Sequence, residues 1–379
     1  MTHYRVGVIG GGQLARMMIP PASNLGIELK VLAEQENSSA KQATTAVGDF
    51  TDIATVLDFA SSVDVITFDH EHVPIAVLEQ LEEQGISVQP PSKALVHAQN
   101  KLVMRKALDK MGAPNPIWSA VSTGSELDKF ISEHGPEVIV KTPIGGYDGK
   151  GVRVVSSSEQ VSDWLSEQML LSLGGQLLVE QKVPFKRELA QLSARNQSGE
   201  FVSWPVVETR QKNGVCSEVL SPAPNITTEF SDRAVKIARL ISESLGVTGT
   251  LAVEMFETAS GELLVNELAM RPHNSGHFTI EGSATSQFEQ HLRAVLNLPL
   301  GKTDPLKPIA VMANVLGVSD SKDFMDNYNQ VMTEFPQAKI HSYGKSPRMG
   351  RKLGHVTVVG TDLESCLEQA QAARDQLNK

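Results

Sequence analysis

The first part of the chain alternates short apolar runs with helical patterns, and this alternation restricts the fold more than any other feature of the sequence. An apolar run at 6–9 leads through three consecutive glycines at 10–12 into a helical pattern. Further apolar runs follow at 28–33 and 63–68. Strands that alternate with helices predict a parallel sheet covered by helices. We therefore predict an α/β domain over residues 1–96.

The glycine turn of this first unit allows more than one function. The helix after the turn offers unpaired amides and a favourable dipole to an anion. With Ala15 in the third position, the turn fits the loose dinucleotide-binding pattern of a nicotinamide oxidoreductase. The same turn also occurs in α/β proteins for packing alone. Pro20 and Pro21 predict that the helix ends early.

A dense polar run follows a core strand in the stretch 263–282. Three apolar residues lead into Asn266 and Glu267, and the sequence RPHNSGH follows at 271–277. Polar groups that leave water need partners. A charged ligand together with a metal ion would supply them. The alternative is a hairpin end that is capped by polar residues.

A predicted hairpin brings a second carboxylate toward this run. The apolar stretches 250–256 and 262–268 flank an Ala-Ser-Gly turn, so Glu254 and Glu267 can lie on neighbouring strands. Two carboxylates and the Asn266 amide oxygen are hard oxygen ligands, which suit magnesium that bridges nucleotide phosphates.

A glycine-rich loop, GGYDGKG at 145–151, lies between two predicted strands. A P-loop needs a helix after its glycines, so this loop is of another kind. We interpret it as a hairpin tip whose backbone amides fold over phosphates, with Lys141 and Lys150 adding charge. An ordinary Asp-Gly hairpin turn is the alternative.

Composition excludes several classes of function. The formal net charge of −10 over 379 residues argues against a general nucleic-acid-binding surface. Cys216 and Cys366 are far apart and predict reduced thiols in a cytosolic protein. No apolar run has the length of a membrane span. Against this acidic background, four cations within 345–352 predict a phosphate pocket, with a solvated basic loop as the alternative.

Four motifs in this order resemble the ATP-grasp superfamily and, within it, the 5-(carboxyamino)imidazole ribonucleotide synthases of purine biosynthesis. The motifs are GGGQLAR at 10–16, GGYDGKG at 145–151, the long run that starts NELAMRPHNSGH at 266, and YGKSPRMGRKLGH at 343–355. The resemblance implies an α/β and α+β protein with the ATP-grasp fold. A Rossmann-like pre-grasp domain would cover 1–96, the grasp domain 97–299 with a lid at about 115–182, and a small C-terminal domain 300–379.

The resemblance also implies a reaction and its residues. ATP and bicarbonate would give carboxyphosphate, and the exocyclic amine of aminoimidazole ribonucleotide would accept the carboxyl group. Nucleotide contacts would come from Lys101, Lys141, Gly146, Tyr147, Asp148, Gly149, Lys150, Gly151, Val152, Glu180, Gln181, Lys182, Val183, Glu188, Gln211, Asn266 and Glu267. The reaction centre would be lined by Tyr147, Asp148, Lys150, Arg271 and His273. Acceptor contacts would come from Gln13, Glu71, Asn274, Ser275, Lys345, Arg351 and Lys352.

The resemblance further implies that Glu254, Glu267 and Asn266 hold magnesium or manganese. It implies a cytoplasmic homodimer whose partners are small molecules, without nucleic acid or membrane. Another ATP-grasp ligase, such as a formate-dependent formyltransferase, and an inactive binding protein of the same fold are the alternatives that remain.

Overall fold

The N-terminal region forms a four-stranded parallel sheet with the strand order β3-β2-β1-β4. The computed structural model describes residues 3–145, 151–212 and 214–379. The elements of this region are β1 (Arg5–Ile9), α1 (Gln13–Leu25), β2 (Glu28–Ala33), β3 (Thr44–Val47), α2 (Ile53–Ala60), β4 (Val65–Phe68), α3 (Ile75–Glu83) and α4 (Ser92–Gln99). The parallel sheet predicted from the alternating pattern is confirmed.

Helix α1 is longer than the sequence predicts. Pro20 and Pro21 lie inside it, and Gly26, in the left-handed region at φ 68°, ends it. An internal proline removes a hydrogen bond and costs roughly 3 kcal/mol. The helix nevertheless buries five apolar side chains, among them Met17 and Met18, and each large one contributes about 1.5–3 kcal/mol. The prediction of an early end at the prolines was wrong because burial of this face outweighs the lost hydrogen bonds.

Helix α5 (Lys101–Met111) connects the N-terminal region to the rest of the chain and places a predicted site residue. The Asn100 side chain accepts hydrogen bonds from the Leu102 and Val103 amides at 3.0 and 3.2 Å, which fixes the start of the helix. Gly112, with φ 71°, ends it. Lys101 is therefore the first residue of the helix.

A second sheet has four antiparallel strands in the order β5-β8-β6-β7. Its elements are β5 (Trp118–Val121), α6 (Gly124–His134), β6 (Val138–Lys141), β7 (Val152–Val155), α7 (Glu167–Ser172) and β8 (Leu177–Gln181). The strands β6 and β7 pair antiparallel, with Lys141 opposite Val152. The prediction that the glycine loop joins two strands of a hairpin is confirmed.

The third sheet has nine strands and includes the C-terminal part of the chain. Its path is β14-β13-β9-β11-β12-β15-β17-β16, and β10 pairs with β9. The elements are β9 (Phe185–Arg195), β10 (Phe201–Ser203), β11 (Val207–Lys212), β12 (Val215–Ser221), α8 (Thr228–Leu245), β13 (Gly249–Thr258), β14 (Leu263–Ala269), α9 (Thr279–Gly282), α10 (Gln287–Val295), β15 (Ile309–Leu316), α11 (Tyr328–Glu334), β16 (Lys339–Ser342), β17 (Lys352–Gly360) and α12 (Leu363–Leu377). The C-terminal strands thus continue the sheet that carries β13 and β14. Within the described residues, no helix is both long and apolar enough to cross a membrane.

His291 on α10 joins the N-terminal sheet to the nine-stranded sheet. The imidazole is fully buried, and its Nδ1 accepts a hydrogen bond from the Thr250 amide at 3.0 Å. Its Nε2 lies 2.7 Å from the Thr67 hydroxyl of β4. Because Nδ1 is an acceptor, the proton of the neutral ring is on Nε2. Burial lowers the pKa of His291 to about 3.

The buried His291 is expected to make the protein less stable in acid. The unfolded chain binds a proton near pH 6.5 and the folded chain only near 3, so unfolding takes up a proton between these values. The contribution of His291 alone should therefore lower the free energy of unfolding by up to about 1.4 kcal/mol per pH unit as the pH drops below 6.5. The variant His291→Gln should show a shallower fall in urea denaturation between pH 6.5 and 4. Equal slopes in the wild type and in a folded His291→Gln protein would refute this expectation.

Candidate active site

Strands β13 and β14 carry the two predicted metal carboxylates at directly opposite positions. Glu254 pairs with Glu267, whereas the next residue, Met255, pairs with Val265. Asn266 is therefore an extra residue in β14, and such a bulge re-aims the neighbouring side chains. Residues that lie opposite each other in an antiparallel pair project from the same face, so both carboxylates point the same way. This set contains only oxygen donors, which fits a magnesium ion that takes its remaining ligands from phosphate and water.

Two lysines from other elements lie beside these oxygen donors. Lys101 Nζ is 4.0 Å from Glu267 Oε1 and 3.4 Å from the Gly145 carbonyl oxygen. Lys141 Nζ donates to Asn266 Oδ1 at 3.0 Å. The structure thus brings together the start of α5, the end of β6 and the bulge of β14. The result is a mixed-charge cluster at the entrance to the glycine loop.

The polar run after β14 forms ion pairs with other parts of the chain. His273 Nε2 lies 3.2 Å from Glu254 Oε1. Arg271 Nε donates to Glu71 Oε2 at 2.8 Å, which ties the run to the loop after β4. Burial alone would raise the pKa of Glu254, but the hydrogen bond from His273 and the charges of His273, Lys352 and Arg271 hold it below its ordinary value. Glu254 is therefore ionised at neutral pH, which is the state that the predicted metal site requires.

A third carboxylate, Glu188, lies on the same face of the sheet. In the β9–β13 register Ala190 is opposite Glu254 and Glu188 is opposite Phe256, so Glu188 shares the face of Glu254. Burial raises the pKa of Glu188, whereas a hydrogen bond from the Gln211 side chain lowers it. Glu188 and Gln211, both predicted for the nucleotide, are thus in contact. Their shared face is the surface that also carries Glu254, one of the two predicted metal carboxylates.

The side chain of Glu180 has protein partners instead of an open position. Its carboxylate is 3% exposed and contacts both Arg105 and Lys141. A nucleotide contact at this position would have to use the backbone. In the connector that follows, the exposed Lys182 Nζ lies 2.6 Å from Glu137 Oε2. Val183 is half-buried.

The opposite end of the site combines the N-terminal and C-terminal parts of the chain. Lys345 Nζ donates a hydrogen bond to Gln13 Oε1, across 332 positions of sequence. Arg351 Nη1 donates to the Ser346 carbonyl oxygen at 3.2 Å. Lys352 is close enough to Glu254 to lower its pKa. Of these predicted acceptor residues, Gln13 and Lys345 contact each other, and Lys352 lies near Glu254.

Two other predicted acceptor residues are largely occupied within the protein. Asn274 is 9% exposed, and its amide exchanges two hydrogen bonds with the Asn314 amide at 3.0 and 2.7 Å. Ser275 is 1% exposed, and its hydroxyl lies 2.8 Å from His273 Nδ1. Their side chains therefore stabilise the polar run through hydrogen bonds within the protein. Direct contact of either with an acceptor stays a prediction.

The glycine turn of β1–α1 is filled by carboxylates of the protein itself. The Ala15 amide donates to Asp69 Oδ1 at 2.7 Å, and the Gly11 amide donates to Glu34 Oε2 at 3.3 Å. A Cβ on Gly12 would lie 2.0 Å from Asp69 Oδ2, which explains the glycine at this position. The carboxyl oxygens of these two residues accept hydrogen bonds from amides that a dinucleotide phosphate would need. The geometry therefore argues against a nicotinamide site at this turn.

The structure describes only part of the glycine loop that is predicted to bind phosphate. Gly146, Tyr147, Asp148, Gly149 and Lys150 lie outside the described residues. At the base of the loop, the Thr142 amide donates to the Gly151 carbonyl oxygen at 2.9 Å. Within the described ranges, no three histidine, cysteine, aspartate or glutamate side chains form a group suited to a metal ion. The candidate metal set instead combines two carboxylates with an amide oxygen.

Two residues of the site were missed by the sequence analysis. Arg105 is fully buried against Glu180, and Asn314 pairs with Asn274 from the middle of β15. The spacing of Leu102, Arg105 and Leu108 would have placed Arg105 on the buried face of α5. For Asn314, a lone amide inside an apolar strand was the available signal.

Comparison with known proteins gives the class of the chain. The ribonucleotide synthetase preATP-grasp domain matches residues 3–99, the ATP-grasp domain matches 106–288, and the phosphoribosylaminoimidazole carboxylase C-terminal domain matches 310–369. Together with the sheets described above, these matches define the class of ATP-grasp proteins.

Relatives that match nearly the whole chain identify its family within this class. The N5-carboxyaminoimidazole ribonucleotide synthase of Mycobacterium tuberculosis is 44% identical, over 98% of this chain and 87% of the relative. The chain belongs to the N5-carboxyaminoimidazole ribonucleotide synthase family. The crystal structure of the synthetase from Thermus thermophilus is similar with a TM-score of 0.86 and 35% identity, covering 98% of both chains. That of the synthase from Aspergillus clavatus, in complex with ADP and 5-aminoimidazole ribonucleotide, has a TM-score of 0.88 and 30% identity, covering 100% and 99% of the two chains.

Proposed function

We propose that this protein is an ATP-dependent carbon–nitrogen ligase that carboxylates 5-aminoimidazole ribonucleotide to N5-carboxyaminoimidazole ribonucleotide in purine biosynthesis. The observation that carries the proposal is the direct pairing of Glu254 with Glu267, beside Lys101 and the bulge at Asn266. This arrangement offers oxygen ligands for a divalent cation and cations for phosphate. The resemblance to family members over nearly the whole chain supplies the substrate class.

The chemistry needs concentrated negative charge to be held away from water. A bicarbonate oxygen attacks the γ-phosphorus of ATP, ADP leaves, and carboxyphosphate forms. The amine nitrogen then attacks the carboxyl carbon, phosphate leaves, and the nitrogen loses a proton. Preorganised positive groups stabilise such charge in a transition state. Lys101, Lys141 and Arg271 are the described cations that we assign to this task.

Magnesium, or manganese, would be held by Glu254, Glu267 and the Asn266 amide oxygen, and would supply Lewis-acid polarisation of the phosphates. The residues around these donors have separate roles. The contact of His273 with Glu254 keeps that carboxylate ionised and oriented. We place the nucleotide on the face of Glu188 and Gln211, and the ribose phosphate of the acceptor at Lys345, Arg351 and Lys352.

An assay of ADP release with different second substrates tests the proposed function. Release should require both bicarbonate and 5-aminoimidazole ribonucleotide, and the product should contain one carboxyl group from bicarbonate. Formate or an amino acid should not replace bicarbonate. Release with formate instead would favour a formyltransferase, and ADP or ATP binding without turnover under any condition would favour an inactive binding protein. Release that depends on neither bicarbonate nor the acceptor would contradict the proposal.

Three further properties belong to the proposal. We propose a homodimer, which sedimentation of the purified protein tests, and a cytoplasmic location, which cell fractionation tests. We also propose three domains with boundaries near 96 and 299. Limited proteolysis that cuts preferentially near these positions would support the division.

A further inference from the structure

Arg105 is a buried cation without a role in the chemistry proposed above. Its side chain is 0% exposed and lies on the face of α5 that also buries Leu102 and Leu108. A charge that is removed from water is costly unless it is paired and fully hydrogen-bonded. Packing of α5 alone would be served better by an apolar side chain. The contacts of the guanidinium group therefore indicate why a charge is present.

These contacts form a closed ring. Arg105 Nε and Nη2 lie 2.7 and 2.6 Å from Glu180 Oε1, while Nη1 and Nη2 donate to the Val265 and Asn266 carbonyl oxygens at 2.9 Å each. The other oxygen of Glu180, Oε2, lies 2.9 Å from Lys141 Nζ. Lys141 Nζ also donates to Asn266 Oδ1 at 3.0 Å, which closes the ring. Three parts of the chain meet in it: α5, the strands β6 and β8 of the second sheet, and the bulge of β14.

The ring has the right charge and shape to prepare a phosphate site. One carboxylate faces two cations, so the ring carries an excess positive charge. Burial alone would raise the pKa of Glu180, but the charges of Lys141 and Arg105 lower it, and the carboxylate stays ionised. The planar guanidinium donates in fixed directions to one carboxylate and two carbonyl oxygens, which a lysine cannot do.

We propose that Arg105 is a positioning residue for the nucleotide and its metal ion. Through Glu180 it fixes the ammonium group of Lys141, and through the two carbonyl oxygens it fixes the bulge that carries Asn266 and Glu267. This inference rests on the nucleotide-binding part of the proposed function, because it takes Lys141 and Glu267 as ligands of phosphate and magnesium, and it does not depend on the identity of the acceptor. A misplacement of about 1 Å in such groups can cost as much as 10²-fold.

Binding of ADP in the presence of magnesium, measured by calorimetry, tests the role of Arg105 without any turnover. The variant Arg105→Lys keeps the charge and loses the planar fork, so its dissociation constant for ADP should rise roughly tenfold. The neighbouring exposed residue provides a matched control, and Lys106→Met should bind as the wild type does. A melting temperature for each variant separates loss of fold from loss of binding. Wild-type affinity in a folded Arg105→Lys protein would overturn the proposal.

A double variant separates positioning from stability. Replacing a buried ion pair by apolar residues often preserves stability, so Arg105→Met combined with Glu180→Leu should melt closer to the wild type than Arg105→Met alone. Its dissociation constant for ADP should nevertheless stay raised, since Lys141 and the bulge have lost their fixed partners. If the double variant recovers both the melting temperature and the ADP affinity of the wild type, Arg105 and Glu180 form a purely structural pair and the proposal is wrong. Tight ADP binding by a wild type that does not carboxylate the acceptor would refute the proposed function and leave this inference standing.

Discussion

Replacing Glu267 by glutamine is expected to lower magnesium-dependent ADP formation by roughly 10²- to 10³-fold. The substitution keeps the size of the side chain and one oxygen, but it removes one of the two charges that face each other across β13 and β14. It also removes the ion-pair partner of Lys101 at 4.0 Å. The Glu267 side chain is 41% exposed, so the free energy of unfolding should change by no more than about 0.5 kcal/mol.

The effect of Glu267→Gln should be measured over a range of magnesium concentrations, together with thermal unfolding. The exposed Glu262 precedes β14 in the same hairpin and provides the control, and Glu262→Gln should leave turnover unchanged. Because residues that act as a unit give non-additive losses, Glu254→Gln combined with Glu267→Gln should be little worse than either change alone. Undiminished turnover in a folded Glu267→Gln protein would show that the metal assignment is wrong.

Local signals were sufficient to predict many of the elements. The apolar run at Glu28–Ala33 is strand β2 with the same limits, and the glycine loop lies between the paired strands β6 and β7, as expected. The prediction failed at Pro20 and Pro21, where burial of one helix face decides the outcome and depends on the sheet beneath it. The pairing of β12 with β15 joins distant parts of the chain, and no local pattern contains that information.

The sequence predicts those residues of the candidate site that lie at the ends of strands or directly after them. Glu254 and Glu267 were expected on neighbouring strands, and the structure adds the register and the bulge that make them face each other. The partners of a charge are harder to predict, because they depend on distances across the fold. Glu180 was interpreted as a nucleotide contact, yet its carboxylate lies against Arg105. Likewise, nothing local to the glycine turn indicates that Asp69 takes the Ala15 amide.

The variant Arg351→Ala is expected to raise the KM for 5-aminoimidazole ribonucleotide by roughly 10- to 100-fold and to leave the KM for ATP nearly unchanged. A hydrogen bond between charged groups contributes about 1.5–3 kcal/mol, which corresponds to this range. Burial and the nearby charge of Arg348 lower the pKa of Arg351, so two like charges lie close together without a compensating anion in the described contacts of Arg351. An acceptor phosphate would relieve this repulsion. Lys345, held by Gln13 of α1, would approach the same phosphate from the N-terminal side.

Arg348 in the same loop supplies the control, because its side chain is exposed and has no assigned contact in the site. Arg348→Ala should therefore change the acceptor KM much less than Arg351→Ala does. The acceptor without its phosphate gives a second test: the wild type should use this riboside poorly, and Arg351→Ala should cause little further loss with it. If the riboside shows the same loss as the ribonucleotide, or if the KM for ATP rises equally, Arg351 does not bind the phosphate. A loss confined to the phosphorylated acceptor would show that Arg351 binds the ribose phosphate.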